Sequence, residues 1–188
     1  VKSLAAKGLI ESRTRTGIRV LPPGEWNLLD IDVLGWRYVA MEPRAFYREL
    51  FEIRRMIEPE AAALAAERAT AGEVQAIERA FAVMAEVEAD TTTDEAILAD
   101  LDFHRAILVA AGNDLLLQMG KLIGVGLLVS YRLSPDQYTL FVGRHLEVLD
   151  AIRRRRPSGA RKAMERLLGE TRGYLDAQSG REGDDGAG

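Results

Sequence analysis

The 188-residue chain has no cysteine and only two histidines. Without thiols there is no disulfide framework, no thiolate metal site and no Cys/His nucleophile pair. Also lacking is any apolar run of about 18 residues, the length a helix needs to cross a bilayer. The nearest candidate, LIGVGLLVS at 122–130, has Lys121 and Arg132 close on either side and reads as a buried helix. No positively charged, apolar leader of secretory type opens the sequence, so the cytoplasm is the expected compartment. A net charge of −4 argues against nucleic-acid binding by the chain as a whole.

What is present is ordinary globular composition, 47% hydrophobic and 29% charged, enough for one substantial core and a small second unit. The charge is uneven. Within residues 1–20, Lys2, Lys7, Arg13, Arg15 and Arg19 stand against Glu11 alone. The stretch VKSLAAKGLIESRTRTGIRVLPPG begins as a helix, stops at Gly8 and continues as two short strands, LIESR and IRVLP, around Thr16-Gly17. A helix followed by a basic hairpin is how a winged DNA-binding domain ends, and a complete one would need about two helices ahead of residue 1. A basic hairpin packed on an unrelated helix fits the same residues.

Residues 23–42 read as a linker from their proline and glycine, yet Trp26, Leu28, Leu29, Leu34 and Trp36 suggest that it docks. From residue 43 the pattern is helical, predicting six helices at roughly 43–69, 71–89, 93–111, 114–133, 135–155 and 158–178. Their starts carry matching signals: proline after Glu42, capping-box spacing at Thr70/Glu73 and Thr92/Glu95, and Ser134-Pro135 followed by Gln137. The fold class is mainly α, with residues 179–188 expected to be a disordered tail.

The polar residues within apolar stripes are the informative ones. In ADLDFHRAILVAAGN, residues 99–113, Asp100 and His104 are four apart and share a helix face with Ile97, Ile107 and Ala111. A buried carboxylate needs a proton or a partner. His145 lies among Phe141, Val142, Val148, Leu149 and Ile152 on the predicted fifth helix. Two imidazoles and an aspartate suit a divalent metal in a helical bundle, and a satisfied core histidine beside a buried acid fits the same pattern. Further inward candidates are Arg54 or Arg55, Ser130, Arg132 and Asn113. Arg54 with Glu58 is either a surface i, i+4 pair or a fork that meets a carboxylate in a cavity. The run RRRR at 153–156 closes a helix, where basic side chains favour the C-terminus of the dipole. Neither histidine has a glutamate three residues before it, and no Ser/His/Asp arrangement is suggested, so catalysis is not expected. A helical-bundle metalloenzyme is the alternative reading, and a dimeric sensor without DNA binding a third.

The segment AAKGLIESRTRTGIRVLP resembles the recognition-helix end and wing of GntR-family bacterial repressors. EIRRMIEPEAAALAAERAT, DLDFHRAILVAAGN and RHLEVLDAIRRRRPSGARKAM are similar to successive signatures of the all-helical effector domain of its FadR-type branch, the FCD domain. The likeness runs from residue 1 to about residue 178, and WNLLDIDVLGW is similar to the linker in regulators of sugar-acid catabolism. The resemblance implies a homodimer on a palindromic operator, with a small carboxylate entering a six- to seven-helix bundle. It implies DNA contacts from Lys2, Ser3, Arg13, Arg15 and Arg19, and effector contacts from Arg54, Asn113, Ser130 and Arg132. The effector expected is an aldonate such as galactonate, with a short hydroxy or dicarboxylic acid as the alternative. The family's divalent metal is held by an aspartate, a histidine one turn later and two more histidines. Asp100, His104 and His145 match the first three, and the fourth position is Leu167 in AMERLL. A three-ligand site for zinc, nickel or manganese, weaker than the full set, or a metal-free pocket built on Arg54 are the two outcomes this departure leaves.

Overall fold

The computed structural model describes residues 1–13, 17–87, 94–133 and 137–184, in two compact units, Val1–Phe46 and Tyr47–Gly188. Arg15, the Thr92/Glu95 box and the Ser134-Pro135 start fall outside the described residues or rest on ones that do.

In the first unit, helix α1 (Lys2–Ala6) leads into strands β1 (Ile10–Arg13) and β2 (Gly17–Val20), antiparallel with Ile10 opposite Val20 and Glu11 opposite Arg19. Gly8 makes the corner at φ +71°, and a Cβ there would stand 2.6 Å from the Glu25 carbonyl, so only glycine fits. The segment expected as a plain linker contains a 3-10 turn (Pro23–Glu25) and a ten-residue helix, α2 (Ile31–Ala40). Asp30 caps α2 by accepting from the backbone N–H groups of Asp32 and Val33. Lys7 Nζ reaches Asp30 at 2.6 Å and Asp32 at 2.8 Å, and Val33 and Leu34 are buried. The docking suggested by the apolar residues is real for Trp26, whose indole N–H donates to the Leu21 carbonyl, whereas Leu29 and Trp36 remain exposed.

The second unit is a bundle of α3 (Pro43–Arg68, entering from the first unit), α4 (Ala71–Val87), α5 (Asp94–Ala110), α6 (Asp114–Leu133), α7 (Gln137–Arg153) and α8 (Pro157–Asp184). Three of the boundaries carry sequence signals that the structure uses. Glu42 accepts from the N–H groups of Arg44 and Ala45 ahead of α3, and Thr70 and Glu73 exchange a full capping box ahead of α4. After α7, Arg155 takes a left-handed turn at φ +54° while Arg153 pairs with Glu78, so the arginine run does close a helix. α8 continues to Asp184, six residues beyond the predicted end at 178, because extending a formed helix fixes one residue per added hydrogen bond and needs little apolar support.

Packing runs α4 against α5, α5 against α6, α7 against α8 and α4 against α7. Alanines 61, 62, 65 and 66 on α3 are completely buried, and Phe51, Phe103, Ile107, Met84, Ile152 and Met164 fill the interior. α6 has a mean hydropathy of 1.3, enough by composition and length for a membrane span, but it buries Leu122, Ile123, Leu127 and Val129 in this core.

Candidate metal and effector site

Six polar or charged side chains are buried among the described residues: Arg54, Glu58, Asp100, His104, Ser130 and His145. Four helices contribute them, which is why only the folded bundle brings them together. α3 carries Arg54 and Glu58 one turn apart, α5 carries Asp100 and His104 with the same spacing, α6 carries Ser130 and α7 carries His145.

Asp100 is the hub. Its Oδ1 lies 3.0 Å from His145 Nε2 and 3.4 Å from His104 Nε2. The two imidazoles and Phe103 pack edge to face, the histidine ring centroids 5.5 Å apart. On its far side His104 presents Nδ1 to Glu58 Oε2 at 2.5 Å, and Glu58 Oε1 accepts from Arg54 Nε at 2.5 Å. Glu58, noted in the sequence only as the partner of Arg54, thereby orients a histidine as well. A carboxylate on one ring nitrogen fixes the tautomer that leaves the other free as a ligand.

Electrostatics follow from burial and contact. Burial opposes ionisation of Glu58, but Arg54 and His104 outweigh it and hold its pKa down to about 2. Asp100 is likewise desolvated and is held well below the usual carboxylate range by His104 and His145. Burial disfavours a charged His104, yet Glu58 and Asp100 together push its pKa up to about 9. Tyr47, on α3, is pushed up to about 12 by burial and stays a neutral hydroxyl.

Room for this network comes partly from Gly126 on α6. A Cβ there would stand 3.1 Å from Arg54 Cδ and 3.6 Å from Leu50 Cβ. Nothing in the sequence pattern marks that glycine, since its neighbour lies on another helix. A cleft of about 490 Å³ between α5 and α6 includes His104 in its wall with Leu101, Leu108, Ile123 and Leu127.

Two expected site residues are elsewhere. Asn113 is exposed and caps α6, its Oδ1 accepting from the N–H groups of Leu115 and Leu116. Arg132 is exposed while Ser130 is buried, because two steps along a helix turn the side chain by about 200°. Arg54 is the arginine that points inward; Arg55 is exposed. On the first unit Lys2 and Ser3 are exposed on α1, and Arg13 and Arg19 are about two-thirds exposed, clasping Glu11 at 3.1 and 2.7 Å. Leu167, where the resemblance led to the expectation of a fourth ligand position, is a buried core residue of α8.

The fit of a metal can be judged from the donors. The ligand atoms of Asp100, His104 and His145 all lie within 4.8 Å of one another. The two Asp100 to histidine separations bracket the roughly 3.3 Å edge of a tetrahedron with bonds near 2.0 Å. Of the buried polar atoms here, His104 Nδ1 and Glu58 Oε2 face each other and Asp100 Oδ1 faces the imidazoles, which leaves Arg54 Nη1 as a buried donor without a partner among the described residues. A buried donor is nearly always satisfied, so Arg54 Nη1 marks a place for an acceptor.

Residues 49–170 match the family described as the FCD domain. The chain is 37% identical over 119 residues to the galactonate operon transcriptional repressor of Escherichia coli (strain K12), spanning 63% of this chain and 51% of that protein. It is 27% identical over 168 residues to the HTH-type transcriptional regulator YieP of the same organism, spanning 89% of this chain and 73% of that one. The structure of Streptococcus agalactiae GntR superposes with a TM-score of 0.67 at 23% identity, covering 92% of this chain and 78% of that one, a likeness of fold. The chain spans about half the length of the galactonate operon repressor it matches, 51%.

Proposed function

The chain belongs to the FCD domain family, the FadR-type branch of GntR-family proteins, and on that premise we propose that it is the effector-sensing part of a bacterial transcriptional repressor of sugar-acid catabolism. The observation that carries the reading is the buried Asp/His/His set inside the bundle, together with the buried, unpartnered Nη1 of Arg54. A site of this kind binds; neither histidine has the glutamate three residues before it that the Glu-x-x-His element of a di-metal enzyme needs.

Asp100, His104 and His145 would hold a divalent metal, zinc, nickel or manganese, with Leu167 leaving the set one ligand short of the family pattern. When bound, the metal supplies a Lewis-acidic point for carboxylate and hydroxyl oxygens. Arg54 Nη1, the Tyr47 hydroxyl and Ser130 are the groups on the remaining sides that meet a polar effector.

Charge balance selects among effectors. Arg54 and Glu58 cancel, and with both imidazoles neutral a divalent metal beside Asp100 leaves one net positive charge. A buried charge must be matched. A monocarboxylate such as an aldonate neutralises it, whereas citrate would leave buried negative charge. With His104 protonated and no metal the set is already neutral, so an anion gains nothing by entering. A monocarboxylate is also what the name of the galactonate operon repressor carries, and galactonate is the effector proposed. Two copies acting at a palindromic operator in the cytoplasm, with Lys2, Ser3, Arg13 and Arg19 towards the phosphates, complete the reading.

The test is metal content by plasma mass spectrometry on untagged protein, with calorimetric titration of galactonate and citrate before and after chelation. About one metal per chain, lost in Asp100→Ala and His145→Ala together with galactonate binding, is expected. Galactonate binding that survives chelation would replace the metal by an Arg54-based pocket.

A further inference from the structure

α5 buries one face in the bundle and leaves a single stripe outside. Its described exposed residues beyond Glu95 are Leu98, Asp102, Arg105 and Val109, spaced 4, 3 and 4 residues apart. Those positions fall within about 60° of arc, so they form one ridge along the helix. Leu98 is 57% exposed and Val109 42%, unusual for aliphatic side chains on a helix whose other face is so well packed. Among the described residues neither Asp102 nor Arg105 has a hydrogen-bond or ion-pair partner in the chain. Beside the ridge a groove of about 570 Å³ runs between α4 and α5, floored by Ala76, Ala80 and Ala106, with Val83 at its edge 48% exposed.

The order of residues along the ridge is palindromic in chemistry. Leu98 and Val109 are equidistant from the point between Phe103 and His104, and so are Asp102 and Arg105. A two-fold axis through that point, perpendicular to the helix, places Asp102 of one copy on Arg105 of the other, twice, and Leu98 on Val109, twice. A parallel arrangement would instead set like on like. Isologous contacts need this self-complementarity, and here the two ridges meet side chain to side chain.

We propose that the Leu98, Asp102, Arg105 and Val109 ridge of α5 is the contact through which two copies of this chain pair, antiparallel about a two-fold axis beside Phe103. The proposal rests on the reading of the protein as a homodimer and assigns that dimer its surface.

Sedimentation equilibrium of the 188-residue chain, with charge-swapped variants, tests it. The parent is a dimer. Asp102→Arg and Arg105→Asp each weaken association on the order of tenfold or more, since each sets like charges together. The double variant Asp102→Arg/Arg105→Asp recovers the parent affinity, because the swapped charges meet again. A second arm uses the absence of cysteine. Leu98→Cys/Val109→Cys cross-links on oxidation, whereas either single variant does not, its two thiols lying about 16 Å apart along the helices. A monomeric parent overturns the proposal, as does a dimer indifferent to Arg105→Asp or one that the double cysteine variant fails to link. Galactonate and metal binding are read separately, so a monomer that still binds both would overturn this contact and leave the site standing.

Discussion

Two arginine–glutamate arrangements in this chain use the same chemistry in opposite surroundings. Arg54 and Glu58 are each 2% exposed and make a 2.5 Å contact one helical turn apart. Arg13 and Arg19 share Glu11 on the hairpin at 3.1 and 2.7 Å with both guanidinium groups open to water. Where water is excluded, each charge needs its partner to remain charged, and the pair in turn dictates the state of His104. On the hairpin, water and salt screen the contact, so its consequence is felt by an approaching anion more than by the fold.

The largest effect should come from breaking the buried pair. Glu58→Ala leaves Arg54 without its counter-charge and removes the oxygen facing His104 Nδ1, and a loss of about 3–5 kcal/mol is expected in chemical unfolding. Glu58→Gln retains an acceptor for the imidazole and should lose less. Equal loss in both would mean that the oxygen facing His104 contributes nothing.

Protons sharpen the contrast next. In chelated protein the folded pKa of His104, about 9, lies above its ordinary value, so its contribution is full below about pH 6.5 and disappears as pH rises through 9. Glu58 and Asp100 run the other way: their contribution is present above ordinary carboxylate values and is lost only as pH falls through the depressed ones, about 2 for Glu58. Melting temperature without metal should therefore be flat between about pH 5 and 6.5 and fall by pH 9.5. Zinc needs neutral imidazoles, so restoring it should raise the alkaline side most. A chelated protein as stable at pH 9.5 as at pH 6 would contradict the placement of His104 between two carboxylates.

A smaller change tests the space around the buried pair. Gly126→Ala brings a methyl to 3.1 Å from Arg54 Cδ, and Arg54 is held by Glu58 and cannot yield freely. Crowding of about 1–3 kcal/mol exceeds the roughly 1 kcal/mol that alanine adds to a helix, so stability should drop slightly. Galactonate titration should lose more, because the guanidinium itself moves. An unchanged affinity would separate Arg54 from the effector.

These residues also show what could be read in advance. Asp100 and His104 were legible because four-residue spacing inside an apolar stripe admits one geometry, and His145 because it was the only other imidazole. The six helices of the second unit were legible from period, with caps ahead of α3 and α4 that the structure uses. Glu58 was half legible: its partner was evident, its second partner on α5 was not. Gly126 was invisible, since its meaning depends on which helix lies opposite. Asn113 and Arg132 lie outside the buried set, and local rules already pointed there. Asn113 precedes Asp114-Leu115 in a cap position, and Arg132 is two steps from Ser130. The helix α2 was hidden by Gly35 and by the prolines just ahead of it, and its stabilisation by Lys7 is a contact across 23 residues.

The least effect on folding belongs to the hairpin. Glu11→Gln removes the shared acceptor of Arg13 and Arg19 without touching any buried group, and the unfolding midpoint should not move measurably. Binding to duplex DNA responds differently. Each phosphate neutralised by a cation releases counterions, and the slope of log affinity against log salt counts them. In the parent chain part of the charge of both arginines is spent on Glu11; in the variant it is available to phosphate, and one repelling carboxylate is gone. Fluorescence anisotropy with a labelled duplex should show tighter binding at low salt, a steeper salt slope and convergence with the parent at high salt. If binding is unchanged at every salt concentration, Arg13 and Arg19 do not meet phosphates.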